Sequence, residues 1–185
     1  MTKSIYDFST LDFSRIAVIG SAGSGKTTLS KNVGKLLNRP VTHLDKILLG
    51  ENWTDLPHEQ HVQILQPIVE QPTWIIDGMW SKTLQMRYQR ATLVLFLDYK
   101  PALCAWRAFT RSLKFNGKQR DDLAPGCVDK INLDFYKYIL NFRKGCRLKV
   151  VQAQKDYPNV PVICFTKPKQ ARQFLSQLEQ YLNNN

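Results

Sequence analysis

The sequence predicts a single α/β domain, a parallel sheet with helices on both faces. Three observations carry that expectation. Apolar runs alternate with segments of helical periodicity from residue 15 to residue 182. The apolar runs lack polar–apolar alternation, as strands covered on both faces do. Gly20, Asp45, Asp77 and Asp98 each stand at or just after the end of such a run. In an open parallel sheet those positions form one rim, where ligands bind.

Residues 1–14 have no clear periodicity and read as an N-terminal extension. Residues 15–19 are an apolar run rich in β-branched side chains, a buried strand ending at Gly20. Residues 26–37 carry Leu29, Val33, Leu36 and Leu37 on one helical face, and Pro40 stands just past the end. A short strand is expected at 41–44 and a helix at 57–71, with Pro57 suited to its first turn. Residues 73–78 read as strand and turn, and 91–98 as a further buried strand. Pro101 opens a helix to about residue 113. Residues 114–127 are polar, with two glycines and a proline, and read as a mobile loop. A long helix is expected over 128–153, a last strand over 160–165 and a last helix over 168–182. There is no internal repeat and no linker, so residues 1–185 form one domain.

Composition narrows the class. Hydrophobic residues make up 43% and charged residues 22%, which argues against disorder. The net charge of +11 favours anionic partners: nucleotides, phosphorylated metabolites or nucleic acid. The plainer reading is a solvated basic surface. Cys104, Cys127, Cys146 and Cys164 form no C-x-x-C pair and have no zinc-ligand spacing. They read as small residues kept reduced. No secretory signal pattern opens the chain and no run approaches the ~18 apolar residues of a membrane span. The expected location is the cytoplasm, without a membrane partner.

The chemistry concentrates at Gly20-Ser21-Ala22-Gly23-Ser24-Gly25-Lys26-Thr27, which fits G-x-x-x-x-G-K-[ST] at every fixed position. Glycines let the backbone curl so that several amides face phosphate oxygens, and the following helix adds its positive end. Lys26 is placed to reach the β- and γ-phosphates of ATP, and the Thr27 hydroxyl to ligate magnesium, with Thr28 completing the loop. The pattern lies between an apolar strand and an amphipathic helix, which is what makes it specific.

Asp77, at the end of a strand, either holds magnesium, directly or through water, or starts an Asp-Gly turn. With a phosphate loop present the metal reading is preferred. Asp45 either binds an acceptor hydroxyl or its proton, or caps the next turn. His43 beside it reads as structural. Arg107 with Arg111, and Arg143 with Arg147, are spaced four apart on helix faces, where like charges repel unless an anion sits between them. Both pairs are phosphate-binding candidates, with a solvated basic face as the alternative. Arg87, Lys114, Lys118 and Arg120 are weaker candidates for the same role. Trp53, Trp80 and Trp106 stack on a ligand or pack in the core, and Trp80, just after Asp77-Gly78, is the one best placed to touch substrate.

Taken together, GSAGSGKTT at 20–28, HLD at 43–45, WIIDGMW at 74–80 and LFLD at 95–98 resemble the P-loop kinases of the adenylate-kinase-like group. WRAFTR at 106–111, RDDLAPGC at 120–127 and NFRKGCR at 141–147 extend the resemblance, which is greatest to the DNA topology modulation protein family. It implies a three-layer α/β/α P-loop NTPase fold with five parallel strands and a short helical lid at about 114–127. It implies that Arg107 and Arg111 contact the base and phosphates of ATP, and that Arg143 and Arg147 clamp the transferring phosphoryl group. Asp77-Gly78 matches the Asp-Gly pair after the group's third strand. Met79-Trp80-Ser81 replaces the usual Phe-Pro-Arg, and the four-cysteine zinc site of some relatives is missing.

The expected activity is ATP- and magnesium-dependent transfer of the γ-phosphoryl group to a nucleoside monophosphate or similar small acceptor. Asp45 after the second strand is also similar to shikimate- and gluconate-type kinases, which makes a hydroxylated metabolite the alternative acceptor. A reading from another class is a nucleotide-gated regulator that binds nucleic acid. The net charge of +11 supports it, but no recognition helix or RNA-binding signature does. A degenerate regulatory domain is a third reading, opposed by the intact Lys26 and Thr27.

Overall fold

The computed structural model describes residues 6–50, 53–115, 125–127 and 132–184. Strands Arg15–Gly20 (β1), Thr42–His43 (β2), Trp74–Asp77 (β3), Leu93–Leu97 (β4) and Val162–Phe165 (β5) form one parallel sheet in the order β2–β3–β1–β4–β5. β1 is central, and its residues Ile16 to Gly20 are all buried, as their unbroken apolar run requires. The chain builds one side of β1, then crosses it to add β4 and β5. That reversal leaves the carboxyl end of β1 open between Asp77 of β3 and Leu97 of β4.

Successive side chains of a strand point to opposite faces, and this divides the core into two layers. Ile16 and Val18 face one layer with Leu93, Leu95 and Leu97. It is filled by helices Lys26–Leu36 (α1), Pro101–Lys114 (α5) and Pro168–Asn183 (α8) through Leu29, Val33, Cys104, Ala108, Phe174 and Leu178. Ala17 and Ile19 face the other, with Val94 and Phe96. That layer is filled by His58–Val69 (α3) and Leu84–Arg90 (α4), preceded by the one-turn helix Leu44–Ile47 (α2). The five strands and the two helical layers agree with the predicted architecture.

Two expectations change. The helix expected over 128–153 is two helices, Leu133–Asn141 (α6) and Cys146–Asp156 (α7). A 3-10 turn, Phe142–Lys144, and Gly145 at φ −120°, ψ −93° separate them. Asn132 caps α6, its Oδ1 accepting from the amides of Asp134 and Phe135 at 2.9 and 3.3 Å. The N-terminal segment is more than an extension. Phe8 is buried against Phe13, Phe174 and Tyr181, with ring centroids 5.6–6.3 Å apart, so residues 6–14 close the α8 side of the core. Of the expected lid, 116–124 lies outside the described residues. So do Lys118, Arg120 and residues 128–131 of the expected helix. Among the described residues, no helix is long and apolar enough to cross a membrane.

Candidate active site

The loop from Gly20 to Gly25 is wedged between the end of β4 and α5. A Cβ on Gly20 (φ +149°) would lie 2.7 Å from the Leu97 carbonyl oxygen, and one on Gly23 (φ +74°) 2.2 Å from that of Cys104. Gly25 (φ +96°) needs glycine for its backbone angle alone, since none of the described residues lies within 4 Å of its missing Cβ. The two substitutions therefore separate. Gly25→Ala meets only the left-handed backbone cost of about 1–2 kcal/mol. Gly23→Ala adds a collision with backbone and must shift the loop off α5. Calorimetric titration with Mg-ADP is expected to show affinity falling at least about tenfold further for Gly23→Ala than for Gly25→Ala. Equal losses would show that the wedge does not shape the loop.

The loop ends on α1, whose first residue is Lys26. The Lys26 ammonium donates to the Ser21 carbonyl at 3.1 Å, bridging the mouth of the loop. The Thr27 hydroxyl donates to Asp77 Oδ2 at 2.9 Å. A donating hydroxyl keeps its lone pairs, so Thr27 can still ligate a cation. His43 Nδ1 lies 2.9 Å from the same Oδ2 and steadies the carboxylate from the β2 side. Asp77 is buried and its Oδ1 has no hydrogen-bond partner among the described residues, a cost that a cation or a metal-bound water would remove. No group of three His, Cys, Asp or Glu among the described residues could hold a metal alone. Magnesium at phosphates needs no such cage, being held through one or two carboxylates and the phosphates themselves. Thr27 and Asp77 fit that role.

A cavity of about 560 Å³ opens over the loop, and residues 22–29 line it. Arg107 and Arg111 of α5 stand on its wall, and Arg107 lies 5.9 Å over the Tyr99 ring. Arg172 of α8 joins them. It was not among the sequence candidates, because a lone arginine on an amphipathic helix looks like any solvated charge. Leu97, Phe135, Ala171 and Leu175 give the wall an apolar part. The wall thus offers cations suited to phosphates and apolar side chains suited to a base. Trp53 lies on the wall, whereas Trp106 is 63% exposed and joins neither cavity nor core.

Asp45, in α2, also lines the cavity. Its Oδ1 accepts the Trp80 indole N–H at 2.7 Å, which leaves Oδ2 for another partner. Trp80 therefore holds Asp45, a role beyond the predicted substrate contact. Its backbone sits at φ +26°, strained for a non-glycine, and its ring meets the buried His61 edge-on at 4.8 Å.

Arg87 corrects the sequence reading. It was a substrate-binding candidate, but it is fully buried and does not line the cavity. Its guanidinium donates to the carbonyls of Gly78, Met79 and Trp80 at 2.7, 2.7 and 3.0 Å. Burial pushes its pKa down to about 10, against the pull of nearby Tyr88, Asp77 and Asp45, so it stays charged at neutral pH. It acts as the fastener of the strained turn that carries Trp80.

Arg143 and Arg147 are not on the cavity wall. Both converge on the buried Asp98 at the end of β4. Arg147 Nε donates to Oδ2 at 2.8 Å, and Arg143 Nε lies 3.7 Å from Oδ1. The bond to Asp98 raises the Arg147 pKa.

No protein-family model matches the chain. No curated protein matches it in sequence. Solved structures do match it in fold. A shikimate kinase from Acinetobacter baumannii, in complex with shikimate, superposes at TM-score 0.60 with 16% identity, over 96% of each chain. A gluconokinase from Sinorhizobium meliloti 1021 superposes at TM-score 0.50 with 14% identity, over 94% of this chain and 96% of the other. The fold is that of the P-loop kinases.

Proposed function

We propose that the chain is an ATP- and magnesium-dependent kinase that phosphorylates a hydroxyl of a small acceptor. One observation carries the reading. The phosphate loop with Lys26, the Thr27 that donates to Asp77 and the half-free carboxylate of Asp45 all line one cavity. A triphosphate on the loop amides puts its terminal phosphate near Lys26, with Arg107 and Arg111 over the rest. Magnesium, held by Thr27 and by Asp77 directly or through water, supplies charge neutralisation. The acceptor oxygen forms a bond to the γ-phosphorus as the bond to the β–γ bridging oxygen breaks. ADP leaves, and the hydroxyl proton passes to Asp45 Oδ2. Positioning and positive charge do most of the work, since this transfer asks little covalent chemistry of the protein.

A hydroxylated metabolite fits better than a nucleoside monophosphate. A monophosphate would bring a dianion to the turn after Asp77. There Met79-Trp80-Ser81 offers no cation, and of the cations nearby Arg87 is committed to three carbonyls, Lys82 to Asp55 and Lys149 to the Ser81 hydroxyl. The test is ADP release with Mg-ATP against a panel of sugars, polyols, hydroxy acids, nucleosides and nucleoside monophosphates. One hydroxylated acceptor is expected to raise the rate at least about 10²-fold over water, as productive positioning of an acceptor does. Stimulation by a nucleoside monophosphate alone would replace the acceptor assignment. No stimulation, with salt-resistant nucleic-acid binding instead, would favour the regulatory reading.

A further inference from the structure

Apart from the phosphate loop and the start of α1, the cavity wall divides along the chain. From β4 onward come Leu97, Tyr99, the arginines of α5 and α8 and their apolar neighbours. Between α1 and β3 the described residues supply two, Asp45 and Trp53. Both follow the edge strand β2, and β4 lies on the other side of β1 in the sheet. By its place in the chain Trp53 therefore belongs with the carboxylate that takes the acceptor's proton, and not with the side chains suited to the nucleotide.

Trp53 is held there at a cost. Its backbone sits at φ +65°, a left-handed conformation that glycine or asparagine adopts more cheaply than a bulky residue. Burial in the core does not offset the cost, since Trp53 is 41% exposed. The backbone on either side is fastened instead. The Trp53 N–H donates to Sγ of the buried Cys127 at 3.3 Å, and that thiol donates to the Gly50 carbonyl at 3.5 Å. The Gly50 N–H donates to the Thr54 carbonyl at 2.8 Å. Asp55 then pairs with Lys82 at 2.9 Å and lies 3.3 Å from Nε2 of the buried His61. A strained residue that its surroundings hold at a ligand cavity points to use of its side chain.

The chemistry of the pair narrows the acceptor. An indole offers a broad flat face, electron-rich at its centre, which favours the polarised C–H bonds of a ring laid over it. A carboxylate on the same wall meets a hydroxyl at that ring's edge. An open chain must freeze several torsions to make both contacts, whereas a ring is frozen already.

We propose that Trp53 is the specificity-determining residue for the acceptor, and that the acceptor is a hydroxylated ring. Its flat face stacks on the indole while one of its hydroxyls meets Asp45 Oδ2. The proposal rests on the kinase reading above and narrows the acceptor within it. The ring is that of a cyclic polyol or sugar, or that of a nucleoside.

The experiment is ADP release with Mg-ATP from wild type, Trp53→Leu and Trp53→Phe. The acceptors are cyclitols and pyranoses, nucleosides, and open-chain polyols of matched hydroxyl number. Wild type is expected to favour one ring class over the open chains by at least about tenfold in kcat/KM, and the class favoured names the source of the ring. Trp53→Leu removes the flat face and loses at least about tenfold in kcat/KM for that ring, chiefly through KM. Trp53→Phe keeps an aromatic face and stays within about threefold of wild type. Calorimetric titration of the same variants with Mg-ADP separates acceptor from nucleotide, and its affinity is expected to change less than about twofold. A wild type that favours open chains overturns the proposal. So does a Trp53→Leu protein as active on the ring as wild type, or a Trp53→Phe protein as poor as Trp53→Leu. An ADP affinity that falls as far as kcat/KM also overturns it, because the indole then serves the base of the nucleotide. A wild type that no acceptor stimulates overturns the kinase reading and this proposal together. Stimulation without the predicted loss overturns this proposal alone.

Discussion

Lys26→Ala is expected to lower kcat/KM for phosphoryl transfer by about 10²–10³-fold, the usual loss when one pre-placed donor to developing charge is removed. The fold should survive. Lys26 opens α1, and among the described residues its side chain makes one hydrogen bond, to the Ser21 carbonyl at the loop mouth. That bond contributes about 1 kcal/mol, so the melting temperature should move by no more than a few degrees. The cation's larger role begins when phosphates arrive. It then faces oxygens that gain charge, in a cavity whose walls reduce solvent screening. Lys26→Arg should recover little, because a planar fork does not replace a compact ammonium inside so tight a loop. Steady-state ADP release with the best acceptor of the panel measures the effect. A loss below about tenfold would mean that Lys26 does not face the transferring group.

Arg87→Met is expected to be the most destabilising single change in the acceptor half. It orphans the carbonyls of Gly78, Met79 and Trp80 in a region where the removed side chain was fully buried. Each unpaired buried acceptor costs about 1–3 kcal/mol, partly offset because no charge need be desolvated. A net loss of about 3–5 kcal/mol follows. For a domain of this size that is a fall of roughly 6–20 °C in melting temperature. The consequence reaches Asp45. Without the guanidinium, the Trp80 backbone at φ +26° can relax, and the indole that holds Asp45 Oδ1 at 2.7 Å moves with it. Acceptor turnover should therefore fall even well below the melting temperature, while Mg-ADP affinity holds. Calorimetric melting and ADP titration on the same sample separate the two effects. A melting temperature within about 2 °C of wild type would show that the three carbonyls find other donors.

How much of this could be read from the chain depends on distance along it. β1, the loop and the start of α1 are contiguous, so apolar run, glycine pattern and helical spacing all point to one local structure. Arg107 and Arg111 were legible for the same reason, being on one face of α5. Arg87 was not. Its four-residue neighbourhood on α4 looks like an ordinary amphipathic turn, and only the packing of α4 against the 78–80 turn decides that it points inward. Asp98 stood out as a strand end, yet its partners lie 45 and 49 residues further on, beyond any local pattern. The His43–Asp77 contact spans 34 residues and joins two neighbouring strands, so it waits on knowing the sheet order. The break at Gly145 escaped because the apolar spacing of α6 and α7 runs nearly in phase, and a single glycine within a helix costs only about 1 kcal/mol. The aromatic residues Phe8 and Phe13 looked aperiodic because they pack from irregular backbone.

The central claim is that a phosphoryl group moves from ATP on this loop to an acceptor held at Asp45. Phosphorus-31 NMR of the chain with ATP, magnesium and the acceptor that most stimulates ADP release follows that group directly. The γ-phosphate signal is expected to disappear as equal amounts of ADP and a new phosphate monoester form, with little inorganic phosphate and no reaction in Lys26→Ala. Inorganic phosphate as the sole product, or an unchanged triphosphate beside every acceptor, would contradict the account.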